Sequence, residues 1–324
     1  MTSGAGASAG GSSGGGGPGA GAPPVLDAIG AIGATDAIGA SIAVVDINRM
    51  LGPLPYEEVP SRTVAGLVRE LDRLRIDLAC VTHSHAVHGD PRDAGPTARL
   101  AESAAPGPRL VPVPVLIPGP FGTGRPGDER LVRLCPGEHR WPLTGGPSLA
   151  LAAELARRGI AVLLGWETVT APEVARYAAG TPELRIVLTG TGYRSARELT
   201  GLMDTHPGLS VDTSTLAGHL QVEWFAERHG ARRVLFGTGA PVTDDAGPRY
   251  QLDTLDLPEP ARRLIAGGNA LRLLGLAGLA GLPGRPEPPG QPEASVPPAS
   301  GGRHPGPVPE DGHTGPVPEG GTPR

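Results

Sequence analysis

Eight short apolar runs recur between residues 41 and 236, and each gives way to small or polar residues before a new segment begins. That alternation constrains the chain more than any other feature. The runs are 41–46 (SIAVVD), 77–82 (DLACVT), 110–117 (LVPVPVLI), 131–134, 160–164, 185–188, 209–211 and 234–236. They are apolar, rich in β-branched residues and short, which predicts strands. Segments with helical signals lie between them. Ser61 is placed to cap a helix in which Val64, Leu67, Val68, Leu71 and Leu74 return every three or four residues. Thr170-Ala171-Pro172-Glu173 reads as a capping box with proline in the first turn. Further helices are expected over 98–104, over 148–158 with Gly159 as the stop, over 194–205, and up to His229 with Gly230 as terminator. Strand-then-helix units of this length predict a closed parallel (β/α)8 barrel, with functional residues at the carboxyl ends of the strands. Pro112 and Pro114 sit awkwardly in the third run. A central strand tolerates them only where the missing amide points away from the ladder or at a bulge.

The barrel is expected to occupy about 41–280. Residues 1–24 are almost all Gly, Ala, Ser and Pro, and from about Pro283 the chain is Pro- and Gly-rich, with GPVPE at 306–310 and again at 315–319. Segments that bury so little apolar surface do not offset the entropy of ordering, which predicts disordered tails over 1–24 and 283–324. DAIG appears at 27–30 and 36–39 and carries no evident chemistry.

A net charge of −5 with dispersed acid offers no basic face, which excludes a nucleic-acid partner. Every basic residue outside the histidines is arginine, so lysine Schiff-base chemistry is excluded too. Cys80 and Cys135 are too few for a disulfide framework, and Cys80 reads as an inert core thiol. No leader pattern and no apolar run of membrane-spanning length appears. A cytoplasmic protein with no membrane partner is the expectation.

Two segments carry a specific signal. Arg232–Pro241 (RRVLFGTGAP) is a buried strand stopped abruptly by glycines that allow close approach of a ligand. Some thirty residues later comes Gly267–Gly275 (GGNALRLLG), with leucines at helical spacing. Together they resemble the C-terminal end of the amidohydrolase superfamily, in its amidohydrolase-related branch, where the last strand reads like FGTD-x-P and the final helix like GN-A-x-R-LL. The resemblance extends over most of 41–276. It implies a barrel of the metal-dependent-hydrolase type. It also implies hydrolysis of amides or lactones, or decarboxylation of small aromatic acids. A divalent metal, commonly zinc, would lower the pKa of a bound water.

The ligands that the resemblance implies are replaced in this chain. The first-strand pattern D-x-H-x-H-x-G corresponds to Asp46–Gly52, with Asn48 and Met50 in the histidine seats. The fifth strand ends in Trp166-Glu167, the sixth in Leu188-Thr189-Gly190-Thr191-Gly192, and Gly239 stands where the family carries a metal-binding aspartate. The absence of lysine also removes the carboxylated-lysine bridge of some subtypes. No cofactor is therefore expected. A relocated zinc site is conceivable only at His83, His85 and His88, since residues 83 and 85 of an extended strand face the same way. A solvated polar loop is the bland alternative for the same three residues. The superfamily's lactonase branch includes members that work without metal. Such chemistry here would fall to Glu167, Asp212 and His83 as catalytic groups, with Asp46, Asn48, Met50, Trp166, Gly190, Arg194 and Gly239 lining the pocket. Two readings stay open: a hydrolase of a small carbonyl or carboxylate compound, or a catalytically inactive barrel that binds a small molecule or pairs as a homodimer or with a related barrel.

Overall fold

A computed structural model of the chain describes residues 44–91, 109–120, 122–123 and 125–277. The chain divides into units 1–286 and 287–324, and every described residue falls in the first. The expected tails, the DAIG repeat and the expected 98–104 helix lie outside the described residues.

Nine strands form a ring of eight staves. They are β1 (Val45–Leu51), β2 (Leu78–His83), β3 (Leu110–Pro112), β4 (Val115–Leu116), β5 (Leu131–Leu134), β6 (Ala161–Gly165), β7 (Ile186–Thr189), β8 (Leu209–Asp212) and β9 (Val234–Leu235). All pairings are parallel: β1-β2-β3 in one sheet and β4 through β9 in the other. Backbone bonds join the two sheets. Ile47 N donates to Phe236 O at 3.0 Å, Gly239 N to Asn48 O at 2.9 Å, and Met50 N to Ala240 O at 2.9 Å.

The expected proline conflict is resolved by dividing one stave into β3 and β4. Val113 N still donates to Val81 O at 2.8 Å, so the side facing β2 keeps its ladder. The nitrogens of Pro112 and Pro114 fall on the other side, where Pro114 only accepts, from Arg133 N at 2.8 Å. A proline removes a donor and leaves the carbonyl, so pairing with β5 resumes only at Val115.

The helices are α1 (Val64–Arg73), α2 (Ser84–His88), α3 (Gly146–Arg157), α4 (Ala171–Gly180), α5 (Ala196–Thr205), α6 (Gln221–His229), α7 (Ala246–Asp253), α8 (Glu259–Arg263) and, after a π-turn over 264–268, α9 (Asn269–Leu273). The cap of α1 is Thr63, whose hydroxyl accepts from Gly66 N at 3.1 Å. Ser61 sits in a preceding turn that begins at Pro60. The capping box of α4 forms as expected, with Glu173 accepting from Thr170 N at 2.9 Å and from Thr170 Oγ1 at 2.7 Å.

Strand alternation sorts the apolar residues into two layers. Val45, Ile47, Leu78, Cys80, Leu131, Ala161, Leu163, Val187 and Leu235 fill the interior, joined by Ala270, Leu271 and Leu274 of α9. Ala79, Val81, Val132, Leu134, Val162, Leu164, Ile186 and Leu188 face outward onto Leu67, Leu71, Leu155, Val174 and Leu199 of the helices. Each fully buried leucine or valine contributes about 1.5–3 kcal/mol. Cys80 is buried in the interior with its thiol pushed upward by desolvation, in keeping with an inert role. Asn269 anchors the end of the barrel: its Nδ2 donates to Ala231 O and to Val234 O, both at 2.7 Å.

Candidate functional site

The inward positions continue past the apolar interior into a polar layer. Two residues beyond Cys80 comes Thr82; beyond Leu131, Arg133; beyond Leu163, Gly165; beyond Val187, Thr189; beyond Leu235, Gly237. Asp212 ends β8 in the same layer. The period of two that packs the core therefore also aims these groups at the mouth.

Asn48 is the hub. Its Nδ2 donates to Asp212 Oδ2 at 2.8 Å, and its Oδ1 accepts from Arg133 Nη2 at 2.6 Å. Arg133 Nε donates to Thr82 Oγ1 at 3.0 Å. Asp212 Oδ1 accepts from Ser214 Oγ at 2.9 Å. The chain Thr82–Arg133–Asn48–Asp212–Ser214 thus crosses the barrel from β2 to β8. Asp212 has no exposed surface. Desolvation pushes its carboxyl up to about 6, with Asp46 adding repulsion, while the bonds from Asn48, Ser214 and the Gly190 backbone pull the other way. Arg133 is half-buried, and desolvation lowers its pKa. Gly237 makes the crossing passable, since a Cβ there would come within 2.8 Å of Asp212 Oδ2 and 3.2 Å of Asn48 Cβ.

A second polar cluster starts one residue either side of Asn48. Asp46 is wholly buried, accepting from Asn48 N at 3.0 Å, Thr238 N at 3.1 Å and Thr238 Oγ1 at 2.6 Å. Arg49 donates to Glu70 at 2.7 Å, Asp245 at 3.2 Å and Thr238 Oγ1 at 3.1 Å. Asp46 was expected to line the pocket; it instead staples β1 to the segment after β9, because its acceptors are consumed by backbone and hydroxyl donors.

The other expected site residues are dispersed. Met50 packs with Ala86, Val87, Val115 and Cys135. Trp166 is buried and donates from Nε1 to Ser195 Oγ at 2.9 Å, whereas Glu167 is exposed on the turn that follows. Arg194 is also exposed, over the ring of Tyr193 at 5.4 Å. Gly190 and Gly239 have φ of 66° and 68°. At Gly239 a Cβ would come within 2.6 Å of Thr243 Oγ1. His83 ends β2 and caps α2, its Nδ1 accepting from His85 N at 3.1 Å. The strand does not continue to residue 85, as the zinc expectation required. Residues 84–88 form a helical turn with His85 and His88 exposed, because the chain leaves the ladder at His83. Among the described residues there is no group of three or more His, Cys, Asp or Glu side chains able to hold a metal ion.

Arg133 and Thr82 were not among the residues expected from the sequence. The signal for Arg133 was present: an arginine two residues after an inward leucine, in the otherwise apolar run LVRL. A cavity of about 250 Å³ lies beside this network, lined by Pro136, Trp141, Leu143, Thr168, Val169 and Glu173 among others, after β5 and β6.

The sequence profile of a family described as amidohydrolase matches residues 74–276. No curated protein matches the chain. Solved structures similar to it include amidohydrolase 2 from Bifidobacterium longum subsp. infantis, at 18% identity and TM-score 0.56 over 73% of this chain and 100% of that one. Another is a dihydroxybenzoic acid decarboxylase from Polaromonas with bound manganese and the inhibitor 2-nitroresorcinol, at 14% identity and TM-score 0.56 over 73% and 98%. A third is 5-carboxyvanillate decarboxylase from Sphingomonas paucimobilis, at 13% identity and TM-score 0.55 over 72% and 99%. At such identities the likeness speaks for the fold. With the family profile covering well over half of its length, on a barrel of the same architecture, the chain belongs to the amidohydrolase family.

Proposed function

We propose that this barrel works without a divalent metal and that its mouth binds a small molecule rather than hydrolysing one. The donor set does not fit the metal that the family implies. Divalent zinc and its relatives take imidazoles, carboxylates or thiolates with free lone pairs aimed at one point. Here both oxygens of Asp212 already accept bonds, from Asn48 and Ser214, and the Asn48 carbonyl faces a guanidinium. Met50, in the other histidine seat, is packed among apolar side chains. The observation that carries the reading is Asn48 held between Arg133 and Asp212: the positive charge at the mouth comes from an arginine of the chain itself. Gly239 adds to it, since an aspartate there would need a left-handed backbone and would crowd Thr243.

A second reading is favoured by one observation. A buried carboxyl that titrates near 6 suits proton transfer close to neutral pH, so Asp212 is the group to test as a general acid or base in a metal-independent hydrolase or decarboxylase. Against it stands the complete burial of Asp212, which keeps substrate from touching it in this conformation.

The test is metal analysis of purified, tag-free protein, followed by assay of lactones, aryl acids and N-acyl compounds with and without added zinc or manganese. The binder reading expects less than about a tenth of an equivalent of metal and no turnover above that of Asp212→Asn. Metal-free turnover abolished by Asp212→Asn would establish the second reading instead. A full equivalent of metal would overturn both.

A further inference from the structure

We propose that Arg133 is the anchor of an anion site at the barrel mouth, and that its occupant is a small organic carboxylate. The inference deepens the metal-free reading and rests on it.

Arg133 is a half-buried cation with only neutral partners. Its Nε donates to the Thr82 hydroxyl and its Nη2 to the Asn48 carbonyl. Among the described residues it makes no ion pair within 4.0 Å; Asp212 and Glu138 act on it only from farther away. An unpaired charge withdrawn from water is costly, and the cost is relieved by a counter-ion brought to it. A guanidinium carries five N–H donors in a planar fork. Two are spent on Thr82 and Asn48, leaving the Nη1 hydrogens and one on Nη2. That remaining end of the fork is the geometry that holds the two oxygens of a carboxylate in parallel.

Thr82 and Asn48 set the fork's orientation, and Asn48 is itself fixed by Asp212. The anchor is therefore held before a ligand arrives, which lowers the entropy cost of binding. Charge decides the class of anion. A monocarboxylate neutralises the single guanidinium. A phosphate carrying nearly two charges at neutral pH would leave an excess negative charge facing the Asp212 and Asp46 side of the mouth. The adjoining cavity of about 250 Å³ is lined by Trp141, Leu143 and Val169, apolar surface for the body of such an acid. Arg194, the arginine that the sequence suggested for this role, is exposed and engaged with its neighbour Tyr193.

The experiment uses the full chain after chelator treatment, titrated with sodium benzoate, sodium acetate, inorganic phosphate and sodium chloride at matched ionic strength. Thermal shift and calorimetry read binding, and the titration is repeated on Arg133→Met and Arg133→Lys. The expected result is saturable binding of benzoate, and more weakly of acetate, reduced at least tenfold in Arg133→Met and partly retained in Arg133→Lys, with circular dichroism unchanged. Equal benzoate affinity in folded Arg133→Lys and the wild type would overturn the bidentate anchor, and so would phosphate binding in preference to the carboxylates. Should Arg133→Met not fold, Arg133→Lys alone decides. Absence of benzoate binding up to about 10 mM, beyond the weakest range of useful affinity, overturns the proposal and leaves the metal-free reading standing. Binding that appears only after zinc is restored overturns it through the metal-free reading itself.

Discussion

β1 supplies both buried polar clusters of the barrel, from adjacent residues, and the two are balanced differently. Arg49 is enclosed by three carboxylates, with Glu70 at 2.7 Å, Asp245 at 3.2 Å and Asp46 at 3.9 Å. Its side chain has no exposed surface. Arg133, reached from β1 through Asn48, has no carboxylate that close among the described residues and keeps a partly open face. The first cluster is closed on itself and ties β1, α1 and the segment after β9 together. The second is short of one negative charge. A buried arginine whose charge is matched inside the fold reads as structural, and one left unmatched at the end of a barrel strand reads as a binding group.

The sharpest way to break the comparison is Arg49→Met. It strands three acids around an apolar side chain, and the expected loss of stability is about 3–5 kcal/mol by urea unfolding. A loss below about 1 kcal/mol would mean that the first cluster is no more structural than the second.

Next in size is the pH response of Asp212. Its folded value of about 6 lies above its ordinary 3.8. The folded state therefore favours the protonated carboxyl, and this group's contribution falls as pH rises from about 4 to about 6, then stays level. The full swing is roughly 3 kcal/mol. Asp212→Asn removes the titration. The stability of the variant relative to wild type should therefore rise by up to that amount between pH 4 and pH 7, measured by urea unfolding at both. A difference that stays constant with pH would show that Asp212 is not held in an uncharged-favouring environment.

The smallest effect is expected at Thr82→Val, which removes the acceptor on Arg133 Nε without enclosing the charge further. The expected cost is about 1 kcal/mol or less. A loss above about 3 kcal/mol would place Arg133 in the same structural class as Arg49.

The barrel was legible in the sequence because its signal is periodic and local. Short β-branched runs stopped by glycine, and helices opened by Thr170-Ala171-Pro172-Glu173, need no long-range information. The helices α7 and α8, between Ala246 and Arg263, were not anticipated, since they follow the glycine-stopped segment and carry little apolar periodicity. The split third stave was legible as a conflict and not as its solution, which depends on which side of Pro112 and Pro114 the neighbour lies. At the site, Asn48, Asp212 and Gly239 could be read from strand ends. Arg133 could not be chosen from among so many arginines without carrying the inward register of Leu131 two residues further. His83 and His85 misled because the rule of alternate faces holds only while a strand lasts, and β2 ends at His83. Glu167 and Asp46 exchanged expected places. The acid beside a tryptophan lies in solvent, and the acid beside the replaced histidine is buried under Thr238.

The most direct test is anomalous diffraction from crystals grown with manganese or zinc. With the guanidinium of Arg133 on Asn48, the account predicts no anomalous peak among Asn48, Asp212 and Gly239. A peak at coordination distance from an Asp212 oxygen, with Arg133 turned away from Asn48, would contradict it.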